Sequence, residues 1–215
     1  AIVATAFGVA ASLGIGALQI ASGLHQVFGL PATTGAQIAI IVAATGLFVL
    51  SAVSGVERGI KWLSSANLVL AFLLALAVFV LGPTVRLVDT FSTTAGSYLS
   101  ELVRMSLRTT PYRDSQWVSN WTIFYWAWWI SWSPFVGLFI ARVSRGRTIR
   151  EFVLGTVVAP TLAAALWFSV FGGTALSLEI FHAVPLAEAA KADVSTVLFR
   201  MFEALPGTTL LSGVA

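Results

Sequence analysis

Long apolar runs separated by short polar intervals set the pattern of this chain. A hydrocarbon core about 30 Å thick is crossed by roughly 20 helical residues, and five runs meet or approach that length: 2–24, 37–55, 65–82, 119–141 and 152–175. Inside lipid the backbone must satisfy its own hydrogen bonds, so each run predicts a helix. A sixth run begins near Gly207. The interval 83–118 is too polar to span but keeps a helical period. Tyr98, Leu102 and Met105, with Leu99 and Val103, recur three and four residues apart, while Glu101, Arg104 and Arg108 take other faces. That spacing predicts an amphipathic helix lying at the external membrane interface.

Composition turns this pattern into a fold class. The chain is 58% hydrophobic and 10% charged, with mean hydropathy +0.91, where a soluble domain carries about 25% charge. An all-α integral membrane protein follows, with no sizeable soluble domain. No Asp, Glu, Lys or Arg precedes Glu57, and the absence of cysteine excludes disulfides, thiolate metal sites and a cysteine nucleophile. The net charge of +3 and pI near 9.8 would suit a nucleic-acid partner, but the charges are placed otherwise. Arg142, Arg145, Arg147 and Arg150 follow directly on an apolar run, as in a cytoplasmic loop under the positive-inside rule. The loop with Glu57, Arg58 and Lys61 lies two spans earlier and takes the same side. Residues 24–35, 83–118 and 176–206 are then external. The chain starts inside one apolar run and stops at Gly213-Val214-Ala215 inside another, so it reads as an internal piece of a longer, multi-pass protein. Residues 1–24 lack the basic start of a secretory signal and are too long for its apolar core.

Two features go beyond membrane insertion. Gly8, Ser12 and Gly16 repeat every four residues, a small-residue stripe that lets another backbone approach. The second is the crowding of tryptophan between Trp117 and Trp132. At about 100° per residue, Trp121, Tyr125, Trp128, Trp132 and Phe135 fall on one line with Trp129 flanking it, over about 21 Å. An aromatic belt at the membrane interface is the alternative reading for the outer members Trp117 and Trp121, and it does not explain indoles at mid-bilayer. A wall of rings suits a quaternary ammonium, which has no N–H to donate and is held by aromatic faces at about 0.5–2 kcal/mol each. The five runs contain no carboxylate, which fits a zwitterion of zero net charge. Pro134 cannot bond the Ile130 carbonyl, with Ser131 and Ser133 beside the gap, so the same helix is expected to break there, a merely kinked structural helix being the alternative.

The stretch Asn120-Trp-Thr-Ile-Phe-Tyr-Trp-Ala-Trp-Trp129 with Ile-Ser-Trp-Ser-Pro-Phe135 resembles the signature of the betaine/choline/carnitine transporter family. Ala141–Phe152 and Trp167–Thr174 are similar to it as well, so the resemblance covers essentially the whole chain. It implies a bundle of the leucine-transporter-type inverted repeat, of which this single-domain fragment, residues 1–215, would hold spans five to nine and the start of ten. It also implies an aromatic box containing Trp129, with Trp128, Trp132 and Phe124 nearby, completed by a span outside this chain. A sodium ion in such proteins would sit between Thr5 and Phe135. Ser12 lies on the same face as Thr5, but the second matching position is Val9, which offers no oxygen. Hydroxyl bonds back to their own helix are the alternative for Thr5 and Ser12.

The leading expectation is therefore a carrier for a quaternary-ammonium osmolyte or precursor (glycine betaine, choline or carnitine), serving osmoprotection in a bacterial cytoplasmic membrane by alternating access. Sodium or a proton would be the coupling ion, with no cofactor and no metal, and the resemblance implies a homotrimer. An enzyme is disfavoured because no His, Asp, Glu or Cys lies in the spans to serve metal binding or acid–base work, and His25 and His182 fall outside them. An osmosensor or channel-like subunit on the same scaffold, its arginine loop binding anionic lipid, is the alternative.

Overall fold

The computed structural model describes residues 2–53, 59–112 and 115–214, which form helices and turns with no strand among them. Helices α1 (Ile2–Phe28), α2 (Thr34–Val53) and α3 (Gly59–Leu81) cover the first three expected spans. The fourth is Val118–Val143 and the fifth lies in Ile149–His182, and all five are long and apolar enough to cross a membrane. Leu47, Phe48 and Leu50 of α2 are each more than half exposed; such surface is compatible with lipid or other protein, not with water. Glu57 and Arg58 of the first expected cytoplasmic loop lie outside the described residues.

The helix expected between the third and fourth spans is α4 (Thr84–Ser106), with Glu101 and Arg104 paired one turn apart near its end. It follows α3 across Gly82-Pro83, where a Cβ on Gly82 would stand 2.6 Å from the Val78 carbonyl oxygen. Glycine is required for that tight joint. Helix α5 (Phe124–Val143) is preceded by a π-helical turn, Val118–Ile123. After the arginine loop, α6 (Ile149–Val153) opens on a reciprocal cap: Thr148 Oγ1 accepts from the Glu151 N–H at 3.3 Å and the Glu151 carboxylate accepts from the Thr148 N–H at 2.9 Å. A second π turn, Leu154–Val158, leads into α7 (Ala159–His182).

The sequence pattern assigns no element to the external segment 176–206, and here the structure differs. Ile149–His182 runs 34 residues, about 51 Å at 1.5 Å per residue, so it outlasts the bilayer core and α7 continues into that segment. Helices α8 (Leu186–Ala192) and α9 (Val197–Glu203) and the short turn Val194–Thr196 follow, then α10 (Thr208–Val214) near the expected start of a sixth run.

The chain divides into two compact units. One comprises Gly14–Ser92 and Ala165–Ala215. Its core joins Leu74 and Val78 of α3 to Leu178, Leu186, Met201, Phe202, Leu205 and Leu211. The segment read as external thus supplies most of the burial. Polar side chains fasten the edge: Gln26 Nε2 donates to the Glu203 carboxylate at 2.7 Å, and the Arg86 guanidinium donates to Ser177 Oγ at 3.0 Å while lying 3.9 Å from the centroid of the Phe181 ring. The other unit, Ala1–Leu13 with Thr93–Ala164, contains the first turns of α1 and all of α5, and it carries the aromatic site.

Candidate functional site

The tryptophan helix is continuous. Phe124–Val143 is uninterrupted α-helix through Pro134, contrary to the break expected from the proline. Ser133 Oγ donates to the Ile130 carbonyl at 2.8 Å, the oxygen that proline leaves without an N–H, and Ser131 Oγ donates to the Trp128 carbonyl at 2.7 Å. The Ser133 hydroxyl thus repairs the ladder locally, while the Ser131 bond is an ordinary return to its own helix. The irregular backbone lies instead in the π turn before the helix, where nothing in the residue types announces it.

Along α5 the rings pack edge and face in sequence. Trp121 stacks on Tyr125 with centroids 6.0 Å apart, Tyr125 meets Trp128 edge-on at 5.6 Å, and Trp132 meets Phe135 edge-on at 5.9 Å. Phe124 touches both Tyr125 and Trp128. These are favourable offset and T-shaped geometries, and they give the predicted stripe a fixed shape.

The first turns of α1 pack against this stripe. Gly8 is buried, and a Cβ placed on it would lie 2.8 Å from Ser131 Oγ and 2.8 Å from Trp132 Cδ1. One turn on, Ser12 Oγ accepts a hydrogen bond from the Trp128 indole N–H at 3.2 Å and donates to the Gly8 carbonyl at 3.1 Å. The small-residue stripe therefore makes contact at its first two members. Gly16, the third, has nothing within 4 Å of its Cβ position. The Trp132 indole N–H is buried without a hydrogen-bond partner among the described residues.

Ser12, Trp128, Trp129, Trp132 and Val136 line one cavity of about 400 Å³. Tyr125, Trp126, Trp129, Ile130 and Ser133 line a second, about 600 Å³. Trp129 borders both and is 67% exposed, so its ring is the one left uncovered between them. No ionisable side chain lines the first cavity, and the Tyr125 phenol is the one titratable group on the second. Among the described residues no cluster of His, Asp or Glu could hold a metal.

Of the residues expected at the site, Trp128, Trp129, Trp132 and Ser12 come together around the first cavity, whereas Phe124 lies beside Trp128 and lines neither. Thr5 is half-buried on the α1 face that bears Gly8 and Ser12, and Phe135 reaches that region through its contact with Trp132. Val136 completes the cavity wall and was not legible as a site residue, although its spacing of four from Trp132 and seven from Trp129 puts it on the same side.

Comparison with known proteins identifies the family. The sequence model of the betaine/carnitine/choline family of transporters matches residues 1–215. The chain is 49% identical to the glycine betaine transporter OpuD of Bacillus subtilis over 217 residues, covering all of this chain and 42% of that protein. It is 47% identical over 212 residues to an ectoine/hydroxyectoine transporter of Virgibacillus pantothenticus, covering 99% of this chain and 42% of that one. Identity to glycine betaine transporter 1 of Vibrio parahaemolyticus is 45% over 217 residues, again covering all of this chain and 41% of the relative. The chain thus spans less than half the length of these relatives. With five helices long and apolar enough to cross a membrane among the described residues, and a family model matched over residues 1–215, the chain belongs to the betaine/carnitine/choline transporter family of integral membrane proteins.

Proposed function

We propose that this chain forms part of a secondary transporter for a quaternary-ammonium osmolyte or precursor, with glycine betaine as the leading substrate and choline and carnitine as the other candidates. The carrying observation is the cavity of about 400 Å³ walled by Trp128, Trp129 and Trp132 with no charged group on it. A trimethylammonium group offers diffuse charge and no hydrogen-bond donor, so indole faces hold it while a carboxylate is unnecessary. Relatives named for glycine betaine and for ectoine support osmolyte transport, and the first of them the quaternary-ammonium class.

Under this reading the chain supplies spans five to nine and the start of ten of a longer protein in a bacterial cytoplasmic membrane, with the arginine loop inside, and the full protein assembles as a trimer. Trp129 is the principal ring, flanked by Trp128 and Trp132, with Phe124 buttressing Trp128 from outside the cavity. The test is radiolabelled glycine betaine and choline uptake by the full-length protein. Trp129→Leu is expected to abolish saturable uptake while insertion continues, and wild-type kinetics in that variant would refute the assignment. Flux that rises without saturation would favour the channel-like alternative.

For the coupling ion, Thr5 and Phe135 are the proposed positions. Sodium is a hard cation that prefers several oxygen ligands, yet Val9 supplies none and the Ser12 hydroxyl is already bonded at both its proton and its oxygen. Replacing sodium by potassium at fixed pH separates the cases: lost uptake identifies sodium, and retained uptake that collapses with a protonophore identifies the proton.

A further inference from the structure

We infer that Ser12 is a positioning residue of the aromatic cavity, acting on substrate through Trp128. The inference rests on the reading of that cavity as the substrate site. Three groups form a directed chain: the Trp128 indole N–H donates to Ser12 Oγ, 3.2 Å, and the Ser12 hydroxyl donates to the Gly8 carbonyl, 3.1 Å. The helix carbonyl fixes the direction of the hydroxyl proton, which leaves an oxygen lone pair aimed at the indole. An indole has only one donor, so this bond selects which edge of the Trp128 ring faces α1 and which face looks into the cavity.

The neighbouring rings are held differently. Trp132 is fixed by contact, since its Cδ1 and Nε1 lie against the bare backbone of Gly8. Trp129 has no ring partner among the described residues and is 67% exposed. Trp128 rests against Phe124 and Tyr125 on its own helix, and it is the wall residue whose indole N–H is also held by a polar contact from another helix, 116 positions away in the chain. Without the hydroxyl, the indole N–H faces an apolar setting with no acceptor, and rotating the ring to find one removes a wall of the cavity. Ser12 therefore contributes to affinity without requiring contact with the substrate's charge.

The experiment uses the full-length transporter with glycine betaine as probe, reading uptake KM and, on purified protein, Kd from tryptophan fluorescence. Loss of one such bond corresponds to a rise of about fivefold in both for Ser12→Ala, while Ser12→Thr, which keeps the hydroxyl, stays near wild type. In a Trp128→Phe background, which has no indole N–H, Ser12→Ala is expected to add nothing. The half-saturating sodium concentration is expected to stay unchanged if uptake is sodium-coupled. Wild-type KM and Kd in Ser12→Ala would overturn the inference, as would the same fold-change with and without the indole, or a shift in sodium dependence. Should Ser12→Ala fail to reach the membrane, Trp128→Phe with Ser12 intact reports the same bond from its other end, and unchanged Kd there overturns it equally. If Trp129→Leu transports normally, the parent assignment of the cavity falls; if it is inactive while Ser12→Ala is normal, only the role of Ser12 falls.

Discussion

Gly8→Ala tests whether the approach of α1 to the tryptophan helix sets the site. The added methyl would sit 2.8 Å from Ser131 Oγ, 2.8 Å from Trp132 Cδ1 and 2.9 Å from Trp132 Nε1. Ordinary carbon contacts are about 3.5–4.0 Å, so about 0.7–1.2 Å must be found. The two Trp132 atoms belong to a rigid ring, and Ser131 Oγ, though the end of its side chain, is tied to the Trp128 carbonyl. Either α1 withdraws from α5 or Trp132 leaves its place against Phe135. Overpacking of this kind costs about 1–3 kcal/mol, which taken wholly from substrate binding is roughly a five- to hundredfold rise in KM. Alanine also favours a helix over glycine by up to about 1 kcal/mol, and Gly14→Ala controls for that gain because nothing lies within 4 Å of its Cβ position. Full-length variants are compared by glycine betaine uptake and by the temperature at which purified protein loses its size-exclusion peak. Gly8→Ala should show raised KM and a lower midpoint than Gly14→Ala. Equal behaviour of the two variants would refute the claim that contact at Gly8 shapes the cavity.

Ser133→Ala removes the partner of the Ile130 carbonyl and should lower thermal stability by about 0.5–1.5 kcal/mol; in a Pro134→Ala background, where the restored N–H takes that carbonyl, the same change should cost nothing. Gly82→Ala should impair folding more than Gly173→Ala, as judged by yield of monodisperse protein, because the first methyl meets the Val78 carbonyl at 2.6 Å and the second meets the movable end of Leu87 at 2.9 Å. Phe202→Ala empties a fully buried position in the α3–α9 core and should destabilise the protein by about 3–5 kcal/mol, seen as loss of the folded peak on heating. Arg86→Met keeps the length of the side chain but removes the bond to Ser177 and the charge over Phe181, and should speed proteolysis near the start of α4.

Length and polarity alone determined the spans, because lipid forces each apolar run to close its own backbone bonds whatever it packs against. The aromatic stripe of α5 was equally legible, since the 3.6-residue turn fixes which rings share a face before any partner is present. The same local logic named Ser131 and Ser133 beside Pro134, though the expected break became a repair once Ser133 reached the Ile130 carbonyl. Tertiary structure decided the rest. That Ser12 meets Trp128 and that Gly8 meets Trp132 depends on the rotation and register of the first turns of α1 against α5. Both helices are apolar nearly all round, so hydrophobicity does not choose the face, and only the fit of small residues to large rings does. The packing of 186–211 onto α3 was hidden for a related reason: its helices are short and bear scattered charges, and burial of Leu186, Met201, Phe202 and Leu211 arises only when α3 and α7 supply the opposing surface.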